Sequence, residues 1–152
     1  MRKQLYAQLL ECRRHTHFIE HARRHIPAPD ATLLENPSDE LVAALDQFVY
    51  RFSKLQDMLG RKVLRAVLVE HFREPYEDAP FRDVLDRLEA LRIVDSADRW
   101  DEYRAVRNAL VHEYPESAAE KARVLSEGFA MSVELASLVD RLTELRKKKS
   151  PS

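Results

Sequence analysis

The sequence predicts an all-α fold, an up-and-down bundle of about five helices. Only 2 of its 152 residues are glycine, the main residue of tight β turns, and 34% are charged. Long charged side chains cover helix surfaces well. Apolar residues also recur at three- and four-residue spacings, the period of a helix with one buried face. The length suits a single domain, predicted over residues 1–146 and followed by a basic disordered tail over residues 147–152.

Two long helices are predicted in the first half of the chain. The first has an apolar stripe and ends before Pro27, because a proline disfavours the α conformation in the residue that precedes it. The second is predicted to begin with Asn36 as its N-cap and Pro37 in its first turn. It continues to about Phe72, with Gly60 as the expected position of a kink or a break. The two stripes comprise Leu5, Leu9, Cys12, Ile19, Ala22 and Ile26, then Leu41, Leu45, Phe48, Phe52, Leu55 and Leu59.

Three further helices follow a loop that contains Pro75 and Pro80. Ser96 is the predicted N-cap of the fourth helix, which must end near His112 since Pro115 follows closely. Pro115 suits the first position of the fifth helix. The apolar positions of the three helices are Val84, Leu85, Leu88 and Leu91, then Trp100, Tyr103, Val106 and Leu110, and finally Val124, Met131, Leu135, Leu138, Leu142 and Leu145.

Composition and charge exclude several classes of protein. No apolar run approaches the roughly 18 residues of a membrane span, and a single cysteine, Cys12, allows no internal disulfide. We therefore expect a soluble cytoplasmic protein. The net charge of −1 provides no overall attraction to nucleic acid. Basic pairs such as Arg13-Arg14, Arg23-Arg24 and Arg61-Lys62 are interpreted as solvated helix faces, with RNA contact as the alternative.

Three histidines, His17, His21 and His25, recur every four residues along one stripe of the first helix. Such spacing can indicate a metal site, but several arginines surround the stripe and disfavour a second cation. The glutamate of a zinc-protease motif is also missing. We interpret the stripe as a polar helix face, with contact to RNA phosphates as the functional alternative. No metal or other cofactor is expected.

The segment around the last helix junction carries the residues most suited to chemistry. It combines Arg107, Asn108, His112 and Tyr114 immediately before Pro115. RNA cleavage by its own 2′-hydroxyl requires a base, an acid and positive charge opposite the phosphorane, and none of these requires a metal. Histidine and arginine can supply all three. The N–H groups at the start of the following helix would also favour an anion beside His112.

Helix geometry limits how Arg107 and His112 can cooperate. Residues five apart on an unbroken α-helix point about 140° away from each other. Either the helix is distorted at His112, or the site is assembled from two chains. The second arrangement is that of a symmetric dimer with both junctions facing one cleft.

The pattern Arg-x4-His-x-Tyr, formed here by Arg107, His112 and Tyr114 with Asn108 after the arginine, resembles the signature of HEPN toxins. The resemblance implies a homodimeric, metal-independent endoribonuclease of a type II toxin–antitoxin system. It implies His112 as general acid and base, Arg107 as the group that stabilises phosphate charge, and Asn108 in support. The partners would be RNA and an antitoxin, a minimal nucleotidyltransferase that in some pairs adds AMP to the motif tyrosine, here Tyr114.

Two alternatives remain open. The chain can be a non-catalytic HEPN module that presents a nucleotide or substrate to a separate nucleotidyltransferase. It can also be a helical interaction protein in which Arg107 and His112 form structural hydrogen bonds. An intact Arg107 and His112 pair favours the first hypothesis, because a scaffold does not need it.

Overall fold

The computed structural model describes residues 3–112 and 117–148, and all regular secondary structure in these ranges is helical. The all-α bundle of about five helices is therefore confirmed. Within the described residues, no helix is both long and apolar enough to cross a membrane. The elements are α1 (Lys3–Arg24), α2 (Ala31–Glu35), α3 (Asp39–Met58), a π-helical turn (Leu59–Val63), α4 (Leu64–Ala66), a second π-helical turn (Val67–His71), α5 (Phe81–Ala90), α6 (Arg99–His112) and α7 (Ala118–Arg146).

The core lies between four long helices, because α1 and α6 each pack against both α3 and α7. Phe48 and Phe52 of α3 are fully buried, and the Phe48 ring meets the edge of Phe129 from α7 at a centroid distance of 4.7 Å. The predicted apolar stripe of α1 is buried throughout. Its helix ends at Arg24, before Pro27, as predicted.

The start of α3 differs from the prediction. Its N-cap is Ser38, whose hydroxyl accepts a hydrogen bond of 3.1 Å from the Leu41 N–H. Asn36 instead ends the short helix α2, which was not predicted and which Asp30 caps by accepting a 2.7 Å bond from the Leu33 N–H. Both Asn36 and Ser38 are good N-cap types, but Ser38 has the extended backbone of an N-cap next to the first helical residue, whereas Asn36 ends α2.

The chain does not leave the helical conformation at Gly60, although its regular α-helical hydrogen bonding changes there, since α3 ends at Met58. The chain stays helical from Asp39 to His71, and Gly60 lies in the first of the two π-helical turns. A Cβ at this position would lie 3.1 Å from Cζ2 of Trp100 on α6. The glycine therefore permits α6 to approach closely, a requirement of packing and not of backbone conformation.

The last two helices begin at serine hydroxyls. The Ser96 hydroxyl accepts a 3.3 Å hydrogen bond from the N–H of Arg99, the first residue of α6, as predicted. Helix α7 begins at Ala118, and Ser117 caps it through a 3.1 Å bond from the Glu120 N–H. The predicted start at Pro115 was therefore three residues too early, and Pro115 itself lies outside the described residues. The serine decides the start, because its side chain replaces a missing intrahelical acceptor.

Beyond α7, Lys147 and Lys148 form hydrogen-bonded turns on Glu144 and Leu145. The rest of the predicted basic tail, residues 149–152, lies outside the described part of the chain.

Candidate functional site

Arg107 lies midway along α6 and is held against α3. One terminal nitrogen of its guanidinium is 3.2 Å from Oδ2 of Asp57, and the other donates to Oδ1 of Asn108 at 3.3 Å. The side chain of Arg107 is only 27% exposed. Its Nε is buried and has no hydrogen-bond partner among the described residues. Asp57 thus fixes the orientation of the guanidinium and offsets part of its charge.

His112 is the last residue of α6 and is exposed to solvent. The helix is α-helical up to and including His112, so it is not distorted there. Arg107 and His112 therefore point in directions about 140° apart and do not form one site within a single chain. Asn108 is exposed beside Arg107, whereas Tyr114 lies outside the described residues.

An ion-pair network anchors the first turns of α6 to α7. Arg99 donates two hydrogen bonds to the Glu134 carboxylate, at 3.0 and 2.7 Å, and the Tyr103 hydroxyl donates a third at 2.8 Å. These hydrogen bonds, chiefly those from Arg99, lower the pKa of Glu134. Burial and the bond to Glu134 raise the pKa of Tyr103. The network fixes the position of α6 along α7, and therefore also the position of Arg107.

Replacement of Glu134 by glutamine should destabilise the protein at neutral pH and have less effect in acid. A carboxyl whose pKa is lowered by folding stabilises the native state above its ordinary value of 4.5, and this contribution is lost as the pH falls through the lowered pKa. Thermal unfolding from about pH 7 to about pH 3 should show the wild-type and Glu134→Gln midpoints converging. Glu20→Gln, at an exposed pair on α1, is the control and should shift the midpoint less. A decrease in the thermal midpoint of Glu134→Gln that is the same at every pH would contradict this prediction.

Arg107 stands between two clefts. The larger, about 490 Å³, is mostly apolar and lies between α3, α6 and the start of α7. The smaller, about 400 Å³, lies on the other side of Arg107 and is lined by Gln56, Asp57, Gly60, Arg61, Phe81, Trp100, Arg104, Arg107 and Asn108. We call the smaller one the arginine cleft. His112 lines neither of them.

The histidine stripe of α1 is exposed, and the rings of His21 and His25 lie 4.9 Å apart. Within residues 3–112 and 117–148 there is no group of three or more ligating side chains that could hold a metal ion. A further histidine of α1, His15, was not predicted to be of interest; it is buried and lies 3.2 Å from a guanidinium nitrogen of Arg51. Burial, and then the charge of Arg51, lower its pKa. Its position three residues after Cys12 on the apolar stripe was the available signal.

Sequence reasoning also missed Asp57, Gln56 and Arg104 as neighbours of the motif. Asp57 meets Arg107 from 50 residues earlier in the chain. No spacing within one helix can indicate such a pair, because it depends on how α3 and α6 pack.

Comparison with protein-family models, with curated proteins and with solved structures finds no match to this chain. These comparisons therefore show no family for the chain, and the resemblance to HEPN toxins stays a prediction from the motif residues Arg107, Asn108, His112 and Tyr114.

Proposed function

We propose that the protein is a metal-independent endoribonuclease toxin of the HEPN type. The observation that carries the proposal is that α6 presents an exposed imidazole, His112, and a guanidinium that Asp57 orients, Arg107, so that two copies of the helix can supply both groups to one site. A solvent-facing histidine at the end of a helix has no role in the core, and it is free to approach an RNA chain.

The chemistry follows from the two side chains. His112 removes the proton of a ribose 2′-hydroxyl, and the 2′-oxygen attacks the adjacent phosphorus. The bond from phosphorus to the 5′-oxygen breaks, and a protonated imidazole returns a proton to that oxygen. The products are a 2′,3′-cyclic phosphate and a 5′-hydroxyl. Arg107 stabilises the negative charge of the phosphorane, and Asn108 supports the guanidinium.

The site requires two chains in this proposal, since Arg107 and His112 diverge on an undistorted helix. A symmetric homodimer places both α6 C-terminal ends at one cleft. Val111, next to His112 and 41% exposed, is an apolar residue suited to such an interface.

Substitution of Val111 by glutamate is expected to convert the dimer into monomers and to lower RNA cleavage with it, because two like charges would face each other at the interface. Light scattering and an RNA cleavage assay on the same sample provide the measurement. Val133→Glu on α7 is the matched control, as Val133 is 56% exposed and lines neither cleft beside Arg107. A wild-type monomer with full activity would overturn the two-chain site.

A cytoplasmic antitoxin, a minimal nucleotidyltransferase, is the proposed partner. Transfer of AMP to Tyr114 would bring a bulky group and a negative phosphate beside His112 and exclude RNA. Intact mass spectrometry after co-expression with the neighbouring gene should show additions of AMP that disappear in Tyr114→Phe. An unmodified toxin that is inhibited only within a stable complex would reject this mode of control.

The alternative is a non-catalytic module that presents a nucleotide to a nucleotidyltransferase. The Arg107–Asp57 pair favours it, since an arginine already paired with a carboxylate can serve a structural purpose. Growth arrest on expression separates the two functions. A toxin stops growth in the wild-type form and permits it as His112→Ala, whereas a scaffold produces the same growth in both forms.

A further inference from the structure

The arginine cleft is lined by a buried polar side chain, that of Gln56. Gln56 is only 5% exposed, yet its side-chain oxygen has no hydrogen-bond partner among the described residues. Native proteins rarely leave such an atom unpaired, because an unsatisfied buried acceptor destabilises the fold. The Nε of Arg107, which lines the same cleft, is unpaired in the same way. Both residues line the cleft, so a ligand there that donates and accepts hydrogen bonds can pair with these two groups when their side chains turn toward it.

The charge of the cleft indicates the chemistry of that ligand. Three guanidinium groups, from Arg61, Arg104 and Arg107, line it against one carboxylate, from Asp57. Arg61 and Arg104 are exposed, and Arg104 has only a distant contact of 3.9 Å with Asp101, which contributes little in water. Arginines grouped in this way bind phosphate through charge-assisted hydrogen bonds.

The remaining walls are suited to a base. Phe81 is half-buried at the cleft, and its ring packs against Trp100 at a centroid distance of 5.7 Å. An aromatic wall supports stacking, and a glutamine amide can pair with the edge of a base. The volume of about 400 Å³ lies within the usual range for small-ligand sites.

We propose that the arginine cleft binds one phosphorylated nucleoside, with its phosphate on Arg61 and Arg104 and its base against Gln56 and Phe81. The inference rests on the proposed function in one respect, since a nucleotide of the RNA substrate held here would lie next to Arg107. The site itself is distinct from His112, which lines no part of the cleft.

The test uses the full-length His112→Ala protein, so that RNA is bound and not cut. Titration calorimetry measures the binding of the four nucleoside 5′-monophosphates. Fluorescence anisotropy measures the binding of a short single-stranded oligoribonucleotide, in which the same nucleotide is part of an RNA chain. Further substitution of Arg61 or Arg104 by alanine should weaken binding about tenfold each, the effect of one lost charge-assisted contact. Lys62→Ala removes the same charge from the neighbouring exposed residue outside the cleft, and it should change binding by less than about twofold.

Gln56→Met is the sharpest variant. It replaces an unpaired buried amide by an apolar group of similar size, so the thermal midpoint should stay the same or rise. Binding should nevertheless fall about tenfold. Loss of affinity without loss of stability is not expected of a residue that only supports the fold.

Unchanged affinity in both Gln56→Met and Arg61→Ala would overturn the inference. Binding of the monophosphates as well as the oligonucleotide supports a nucleotide site that also accepts free nucleotides, and binding of the oligonucleotide alone supports a subsite for the RNA chain. The nucleotide-binding test and the test of the proposed ribonuclease can give different results. Absence of RNA cleavage by the wild type would reject the ribonuclease, whereas nucleotide binding that depends on Gln56 and Arg61 would still establish the site.

Discussion

Replacement of His112 by alanine is expected to lower the rate of RNA cleavage by at least about a hundredfold, the usual contribution of a general acid or base. The fold should be unaffected, because the imidazole is exposed at the end of α6. The measurement is cleavage of a fluorescent RNA by the purified protein, with circular dichroism to verify helical content. Since no step of the proposed mechanism requires a metal, wild-type cleavage should persist in EDTA.

A second histidine provides the control for this experiment. His17 is exposed on α1 and lies outside both clefts beside Arg107. His17→Ala should retain most of the cleavage activity, which excludes a general effect of histidine loss. Persistent cleavage by His112→Ala would contradict the assigned mechanism, and loss of wild-type activity in EDTA would point to a metal-dependent nuclease instead.

Replacement of Phe48 by alanine should decrease the free energy of unfolding by about 3–5 kcal/mol. The Phe48 ring is fully buried where α3 meets α7, stacked 5.8 Å from Phe52 and edge-on 4.7 Å from Phe129. Removal of the ring leaves a cavity that the packed helices around it cannot fill. Such a loss is a large part of the stability of a single domain, and urea unfolding measures it directly.

Tyr50→Ala is the matched control on the same helix. Tyr50 is 55% exposed, so its substitution should change the free energy of unfolding by no more than about 0.5 kcal/mol. Similar decreases in the free energy of unfolding for Phe48→Ala and Tyr50→Ala would mean that α3 does not bury the face that carries Phe48.

The positions and buried faces of the main helices could be predicted from the sequence because both depend on local properties. A 3.6-residue period of leucine, phenylalanine and valine defines the buried face of a helix wherever its neighbours lie. A proline limits the helix before it, as Pro27 does after α1. The helix starts were less predictable, since Asn36 and Ser38 both suit a cap and only the backbone geometry selects Ser38.

The motif residues were also visible in the sequence, but their surroundings were not. Arg107, Asn108 and His112 can be identified from spacing within one helix, and that spacing already indicated that Arg107 and His112 diverge. The ion pair of Arg107 with Asp57 joins residues 50 apart. Gln56 is polar and yet buried, which hydrophobic periodicity does not predict.

The sequence by itself thus determined the long helices, their apolar faces and the chemical groups of the motif, because each follows from residues within a few turns of one another. Only the tertiary structure decided which side chains of α3 and α6 meet. Gly60 and Trp100, which approach closely, line the arginine cleft together with Arg107. The physical reason is that such contacts depend on the distance and rotation between packed helices, which no pattern along a single helix contains.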